Sequence, residues 1–170
     1  MWIDDQVLSQ CNKKTFFKIW SPSKSYVVIG NSNDPNKEVY LNRCQQDDII
    51  VVRRSGGGGT VLLHPETLII SLGCWVKDFY NNKEYFFRIN ESVINTLEKI
   101  TSCPKLSQQG LSDICYQDKK LAGTSLFRSR NYLLYQASVL YSKKIDKISY
   151  YLPHPSSEPS YRKKKSHKDF

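Results

Sequence analysis

Arg53-Arg54-Ser55-Gly56-Gly57-Gly58-Gly59-Thr60-Val61 sets four consecutive glycines behind two arginines. Such a run is costly in backbone entropy, so a folded chain keeps it where backbone must take positive φ or pass close to another group. Phosphate cradles are the familiar use. Here, however, no Gly-Lys-Ser/Thr follows, and no GxGxxG spacing with a downstream ribose-binding acid is present. Val51-Val52-Arg53-Arg54 and Thr60-Val61-Leu62-Leu63 flank the glycines as two β-rich runs. The run therefore reads as a strand-to-strand turn that lays its backbone along a ligand, with two arginines able to pair with anionic oxygen.

Working outward, Thr15–Trp20 and Tyr26–Gly30 are predicted strands separated by the turn composition Ser21-Pro22-Ser23-Lys24-Ser25. Ile3–Cys11 reads as a short helix with Asp4 and Asp5 near its positive end, and Glu38–Gln46 as another. Asp48–Arg53, Thr60–His64 and Thr67–Trp75 read as strands. Glu84–Ile100 is the longest predicted helix, because Ile89, Val93 and Leu97 recur four apart. Beyond Cys103-Pro104 come strand-like pieces at Ser112–Gln117, Lys120–Ala122 and Tyr132–Tyr141. Asp146–Leu152 reads as a short helix, after which Pro153, Pro155 and Pro159 stop regular structure. Strands and helices without strict βαβ alternation imply an α+β domain.

At 170 residues the chain holds one domain with a proper core. Its 39% hydrophobic and 24% charged content is that of a soluble globular protein. No apolar run approaches the roughly 18–20 residues that span a bilayer. Asp4 and Asp5 stand where a signal peptide wants bases, so a cytoplasmic location is expected. Cys11, Cys44, Cys74, Cys103 and Cys115 are odd in number and contain no CxxC pair, which argues against a disulfide frame or a zinc site. The net charge of +9 gathers partly at the end, where Arg162, Lys163, Lys164, Lys165 and Lys168 face one acid, Asp169. A basic segment of this kind suits an acidic partner, or is simply solvated.

Arg-Arg-x-x-Gly-Gly-Gly-x-Val resembles the signature of the lipoate–protein ligase A family, within the biotin/lipoate protein ligase superfamily. Upstream, Tyr26-Val27-Val28-Ile29-Gly30 is similar to the family's strand ending in Ile-Gly, followed by an Asn-rich turn and Glu38. Downstream, Gly110-Leu111-Ser112-Asp113 resembles the family's Gly-x-Asn-Asp. Lys120-Leu121-Ala122-Gly123-Thr124-Ser125 is similar to its Lys-Ile-Ser-Gly-Ser-Ala element. Pro159-Ser160-Tyr161-Arg162 and Ser166-His167-Lys168-Asp169-Phe170 resemble a segment late in some members' catalytic domains. The resemblance runs over nearly the whole chain. It implies a mixed or antiparallel sheet packed with helices, of the class II synthetase-like ligase type. The catalytic domain is expected over 1–155, with a basic C-terminal segment over 156–170.

The resemblance further implies a two-step reaction. Lipoate or octanoate and ATP, with Mg2+, give an acyl-adenylate, and the acyl group passes to a lysine of a lipoyl carrier domain. The expected carriers are acidic domains, the E2 of a 2-oxoacid dehydrogenase or the glycine cleavage H protein. Carboxylate attack on phosphorus brings two anions together, and Lys120 is the compact cation expected between them. Arg54 is expected at the carboxylate or phosphate end, with Gly57, Gly58, Gly59, Thr60 and Val61 along the acyl-adenylate. Asp113 is expected at the adenosine or metal side, with a turn-capping role as its alternative, and Gly123 and Thr124 beside Lys120. No metal site made by the protein alone is expected. Val61 and Leu72 are expected to contribute to an apolar acyl slot.

Several positions depart from the pattern. Leu63 stands where the family often has His, with His64 one residue later, and Gly56 replaces the usual Ser or Thr. Tyr135-Gln136-Ala137-Ser138-Val139-Leu140 replaces a His-Gly-Thr-Leu-Leu stretch. With the chain ending at Phe170, the accessory C-terminal domain that many members carry, and some supply as a separate protein, is expected to be absent. Three alternatives stay open: an octanoyltransferase using a cysteine thioester, with Cys103 its candidate nucleophile; a degenerate homologue; or a basic protein binding RNA through its tail. Biotin is not excluded by composition, and neither membrane nor nucleic acid is the expected partner.

Overall fold

The computed structural model describes residues 15–77, 81–102, 105–141 and 146–170. The predicted helix Ile3–Cys11 and the candidate nucleophile Cys103 lie outside these described residues. The described residues form nine strands and four α-helices in chain order: β1 Phe16–Trp20, β2 Tyr26–Ile29, α1 Pro35–Glu38, α2 Leu41–Gln46, β3 Ile50–Arg53, β4 Val61–Leu63, β5 Thr67–Trp75, α3 Asn82–Thr101, β6 Leu106–Gln109, β7 Asp113–Tyr116, β8 Lys119–Ser129, β9 Tyr132–Leu140 and α4 Asp146–Tyr151. A 3₁₀ turn occupies Ser160–Arg162.

Six strands form an antiparallel sheet in the order β1-β5-β9-β8-β7-β6, and three form a small mixed sheet in the order β3-β2-β4. β5 shows why both faces of the large sheet are covered. Thr67, Ile69 and Ser71 are buried on one face, while Leu68, Ile70 and Leu72 pack into the main core on the other. That core holds Ile114, Leu133, Tyr135, Ala137 and Val139 of the sheet against Phe86 and Val93 of α3. Fully buried residues such as Ile114 and Leu133 contribute roughly 1.5–3 kcal/mol each in removed apolar area. Val28 and Leu63 of the small sheet meet Ile69 of the large one, so the two sheets pack together. Tyr151 and Leu152 close the small sheet's other side with Val27, Ile29 and Cys44.

α3 starts where Asn81 Oδ1 accepts the Glu84 N–H at 3.2 Å, and ends at Ser102 in the left-handed region. Its buried Asn90 is tied on both sides. The Tyr135 hydroxyl donates to Asn90 Oδ1 at 2.7 Å, and Asn90 Nδ2 donates to Gln108 Oε1 at 3.0 Å. Gln108 Nε2 donates in turn to the Leu111 carbonyl at 2.7 Å. A polar chain, buried at its start and emerging at its end, thus runs from β9 through α3 to the turn that precedes Asp113.

Among the described residues the predicted elements hold with three adjustments. Glu38–Gln46 is one helix only from Leu41, and Glu38 instead ends a separate helix over Pro35–Glu38, because Val39 takes an extended φ of −142° between them. The first begins with Asp34 capping Asn36 N at 3.0 Å and Pro35 at the first helical position. Lys120–Ala122 extends to Ser129, since Gly123-Thr124-Ser125 pairs with Ser138, Ala137 and Gln136 of β9. Leu106–Gln109 is an additional strand whose polar residues are drawn into the sheet by pairing with β7.

Candidate functional site

The glycine turn connects β3 to β4, and its own backbone contacts set its shape. Asn31 N donates to Gly56 O at 3.0 Å, and Asn33 Nδ2 donates to Gly58 O at 3.2 Å. Arg53 Nη1 donates to the carbonyls of Gly30, Asn31 and Asn33 at 2.9, 2.7 and 2.9 Å. Arg54 is only 7% exposed. Its Nη2 donates to the Gly57 and Gly59 carbonyls, both at 2.7 Å, and its Nε to Gly57 at 3.1 Å. Both arginines therefore grip loop carbonyls with charge-assisted hydrogen bonds, and the planar guanidinium suits Arg54 to two carbonyls at once.

The glycines divide by environment. Gly58 has φ +95°, and its carbonyl fills the space that a side chain on Gly30 would need. Gly56 sits against Ser125 of β8, which a Cβ would approach to 3.3 Å. Gly57 and Gly59 have open space on their Cβ side, so this part of the turn presents bare backbone to an approaching molecule. Thr60 Oγ1 is buried without a hydrogen-bond partner among the described residues. Val61 packs with Val28, Leu63 and Ile69, whereas Leu72 belongs to the core under α3. The two residues expected to share an apolar slot thus fall in different clusters.

Ser125 links the turn to the second cluster. Two residues along a strand is about 7 Å, which brings β8 to Gly123 on the same face. Gly123 pairs with Asp113 across β7–β8, and Lys120 reaches over it so that Nζ stands 2.8 Å from Asp113 Oδ1. A Cβ on Gly123 would meet Lys120 Cε at 3.1 Å. Thr124 Oγ1 donates to the Ser112 carbonyl at 2.5 Å and pins the turn before Asp113. Gly123, Asp113 and Lys120 are therefore gathered, while Thr124, the next residue along β8, turns its hydroxyl to the Ser112 carbonyl instead. Lys119, by contrast, is exposed.

Several contributing residues come from the C-terminal segment, which the resemblance included without giving any of them a role in the site. Tyr161 donates its hydroxyl to Asp113 Oδ2 at 2.6 Å, and Phe170 O accepts the Lys120 N–H at 2.7 Å. The Phe170 ring lies under two cations, 4.6 Å from Arg162 Cζ and 5.8 Å from Lys120 Nζ. Arg162 is 5% exposed, with Nε donating to Lys165 O at 3.0 Å and 3.4 Å from Glu158. His167 Nε2 lies 2.9 Å from the Pro153 carbonyl, so it carries the proton, and Nδ1 accepts from Arg162. Burial, with neighbouring cations, holds His167 below the usual imidazole range. The basic segment is therefore built into the site, with Lys163 and Lys164 exposed on its outside. The signal available in the sequence was the polar and aromatic alternation Tyr161, Arg162, His167, Phe170 among the lysines.

His64 serves its own turn: Nδ1 accepts Glu66 N–H at 3.1 Å. Burial pushes the thiols of Cys44 and Cys115 up, which leaves both less nucleophilic. No group of three or more His, Cys, Asp or Glu suited to a metal occurs among the described residues. No helix among them is long and apolar enough to cross a membrane.

One α+β domain, built on a six-stranded antiparallel sheet, thus carries both the Gly-rich turn and the Lys–Asp pair. The chain belongs to the lipoyl protein ligase A/B catalytic domain family, whose model matches residues 1–169. Comparison with curated proteins gave no match. Among solved structures, one of a bipartite lipoate protein ligase and its E2 lipoyl domain from Thermoplasma acidophilum is 24% identical, with a TM-score of 0.79 over 88% of this chain and 58% of that one. A second Thermoplasma acidophilum structure, with bound lipoic acid, is 23% identical, with a TM-score of 0.76 over 88% of this chain and 65% of that one. A lipoate-protein ligase A bound with ATP is 24% identical, with a TM-score of 0.76 over 98% of this chain and 70% of that one. These likenesses show the fold. The chain spans 58% and 65% of the length of the two Thermoplasma structures.

Proposed function

We propose that this chain is the catalytic domain of a lipoate–protein ligase: it joins lipoate or octanoate to ATP as an acyl-adenylate and passes the acyl group to a lysine of a lipoyl carrier domain. The observation that carries this reading is the Lys120 ammonium held 2.8 Å from Asp113 over Gly123, on the strand face where Ser125 meets the glycine turn. Condensing a carboxylate with a triphosphate needs a compact cation where two anions meet, and Lys120 is one. Gly57 and Gly59 are bare on one side, so backbone can lie close along an extended acyl-adenylate. Thr60 and Val61 continue that line into β4. Arg54 supports the reading from beneath, since it fixes the carbonyls of Gly57 and Gly59 and so the direction of the loop's backbone.

Asp113 has one oxygen on Lys120 and the other on Tyr161. With both Asp113 oxygens engaged, this chain would leave magnesium to the triphosphate and water, where it would offset phosphate charge. Acidic lipoyl domains are the proposed acceptors, and the bipartite relative makes a separate accessory domain the proposed partner. The test is ATP–pyrophosphate exchange with lipoate and with octanoate, with and without a candidate accessory domain, in wild type and Lys120→Ala. Acid-dependent exchange, lost by about 10²–10³-fold in the variant, supports the reading. Octanoyl transfer from acyl carrier protein without any exchange would replace it with the transferase.

A further inference from the structure

The C-terminal segment contributes one atom directly to the Lys–Asp pair, the Tyr161 hydroxyl. A carboxylate accepts hydrogen bonds only, so the direction of every contact around Asp113 is fixed. Tyr161 donates to Oδ2 at 2.6 Å while Lys120 donates to Oδ1 at 2.8 Å. Behind Tyr161, Cys115 Sγ lies 3.6 Å from the phenol oxygen, and the thiol is the donor left to that oxygen. Thiol, phenol, carboxylate and ammonium thus form one directional chain, in which the members polarise one another. Burial and the Asp113 contact push the Tyr161 phenol far up, so it stays a neutral donor at any working pH.

The ring that carries this hydroxyl is fixed from several sides. The Cβ position of Gly110 is 3.4 Å from Tyr161 Cε1, and Gly110 takes φ +58° in the turn leading to Asp113. Phe170 packs tilted against Tyr161 with 5.3 Å between ring centroids, and its carbonyl accepts the Lys120 N–H. Arg162, immediately after Tyr161, is buried and anchored by Lys165 O and Glu158. The segment therefore grips both ends of the β7–β8 pair at Asp113 and at Lys120.

We propose that Tyr161 is a positioning residue of the site: its hydroxyl holds one oxygen of Asp113 so that the other faces the Lys120 ammonium. It acts through Asp113 and touches no substrate. The consequence for rate rests on the ligase reading above, but the geometry itself does not. Without the hydroxyl, the carboxylate turns to recover a donor for Oδ2, and Lys120 loses its fixed partner.

The experiment is Tyr161→Phe, which keeps the ring and removes only the donor. Competitive acylation of amines with acetic anhydride, read peptide by peptide by mass spectrometry, compares Lys120 with its neighbour Lys119. Lys120 labelling should rise severalfold relative to Lys119, and where acyl-adenylate formation is measurable kcat should fall about tenfold with KM for the acid unchanged. Increased labelling with no ligase activity in wild type would sink the ligase reading and leave the positioning role standing. An unchanged Lys120/Lys119 ratio overturns the positioning role whatever the activity. Should Tyr161→Phe not fold, 3-fluorotyrosine placed at 161 keeps the shape: its fluorine resonance must move in Asp113→Asn and stay in Lys119→Ala. A resonance indifferent to Asp113→Asn overturns the proposal equally.

Discussion

Lys120 reaches Asp113 by lying across Gly123: a Cβ on that glycine would stand 3.1 Å from Lys120 Cε and 3.3 Å from its Nζ. Gly123 is directly opposite Asp113 in the β7–β8 register, so the one residue without a side chain sits where the lysine must cross. Glycine in a strand often marks such a close approach.

Gly123→Ala should therefore separate stability from activity. The obstructed atoms are the far end of a flexible side chain, so Lys120 can swing away at little expense to folding. The expected thermal midpoint stays within about 3 °C of wild type, as for a change under 1 kcal/mol in a domain of this size. Acyl-adenylate formation should fall by at least about tenfold, because a misplaced catalytic group forfeits transition-state contact. Equal activity in Gly123→Ala would show that Lys120 does not need the path it takes over this residue.

The glycine turn predicts a graded series. Gly57→Ala and Gly59→Ala add a methyl into open space, so both should fold normally and differ only in substrate binding. Gly58→Ala puts a side chain at φ +95° and should lose roughly 1–3 kcal/mol. Gly30→Ala is more severe, since its side chain would occupy the position of the Gly58 carbonyl. Urea unfolding of the four variants checks the order, and equal destabilisation at Gly57 and Gly58 would contradict it. Arg54→Lys should resemble Gly58→Ala in stability, because a point charge cannot hold the Gly57 and Gly59 carbonyls together.

Much of this arrangement was legible in the sequence. Thr67–Trp75 could be read because its alternation serves two different buried faces, and the α3 helix because Ile89, Val93 and Leu97 share one. Lys120 and Asp113 were legible as motif members seven residues apart. Their contact was not, because it depends on Gly123 vacating space across a hairpin whose register shifts between Ile114 and Cys115. Arg53 and Arg54 illustrate a different limit. Residue type announces a cation, but it does not say whether the partner is a ligand anion or, as here, carbonyls of the chain itself. Nor does a row of lysines reveal that Arg162 and Phe170 among them turn inward, since charge density masks the apolar and aromatic positions that anchor the segment.

His167 gives the segment a pH dependence with a definite sign. Burial lowers its folded pKa below the ordinary imidazole value of 6.5, so the folded state binds fewer protons there than the unfolded state does. The stabilisation it supplies is complete above the unfolded value of 6.5 and is lost as pH falls through the lower folded value. Protonation would put an Nδ1–H against the Arg162 guanidinium, which now donates to that nitrogen. Hydrogen-exchange protection of the 160–170 backbone, relative to intrinsic rates at each pH, should therefore fall below neutrality before that of the core does. His167→Gln should flatten that dependence, and an identical acid profile in the variant would assign it to another group.

Lys163 and Lys164 supply the last prediction. Both are exposed and lie on the outer side of the segment whose inner side meets Asp113 and Lys120. Both have positive φ, 51° and 58°, and Lys164 N donates to Glu158 at 2.9 Å. The ammonium groups are thus held outward by a fixed turn beside the proposed active lysine, a placement suited to steering an acidic carrier domain. Lys165 is half-buried with Nζ 3.5 Å from Asp118 O, so it belongs to the anchor and should be left in place. In Lys163→Gln/Lys164→Gln the rate of carrier modification should fall at low ionic strength and lose most of its salt dependence. Acyl-adenylate formation from free acid should not change, because neither lysine reaches the Lys120–Asp113 pair. A carrier-modification rate with the wild-type salt profile would place the docking surface elsewhere on the domain.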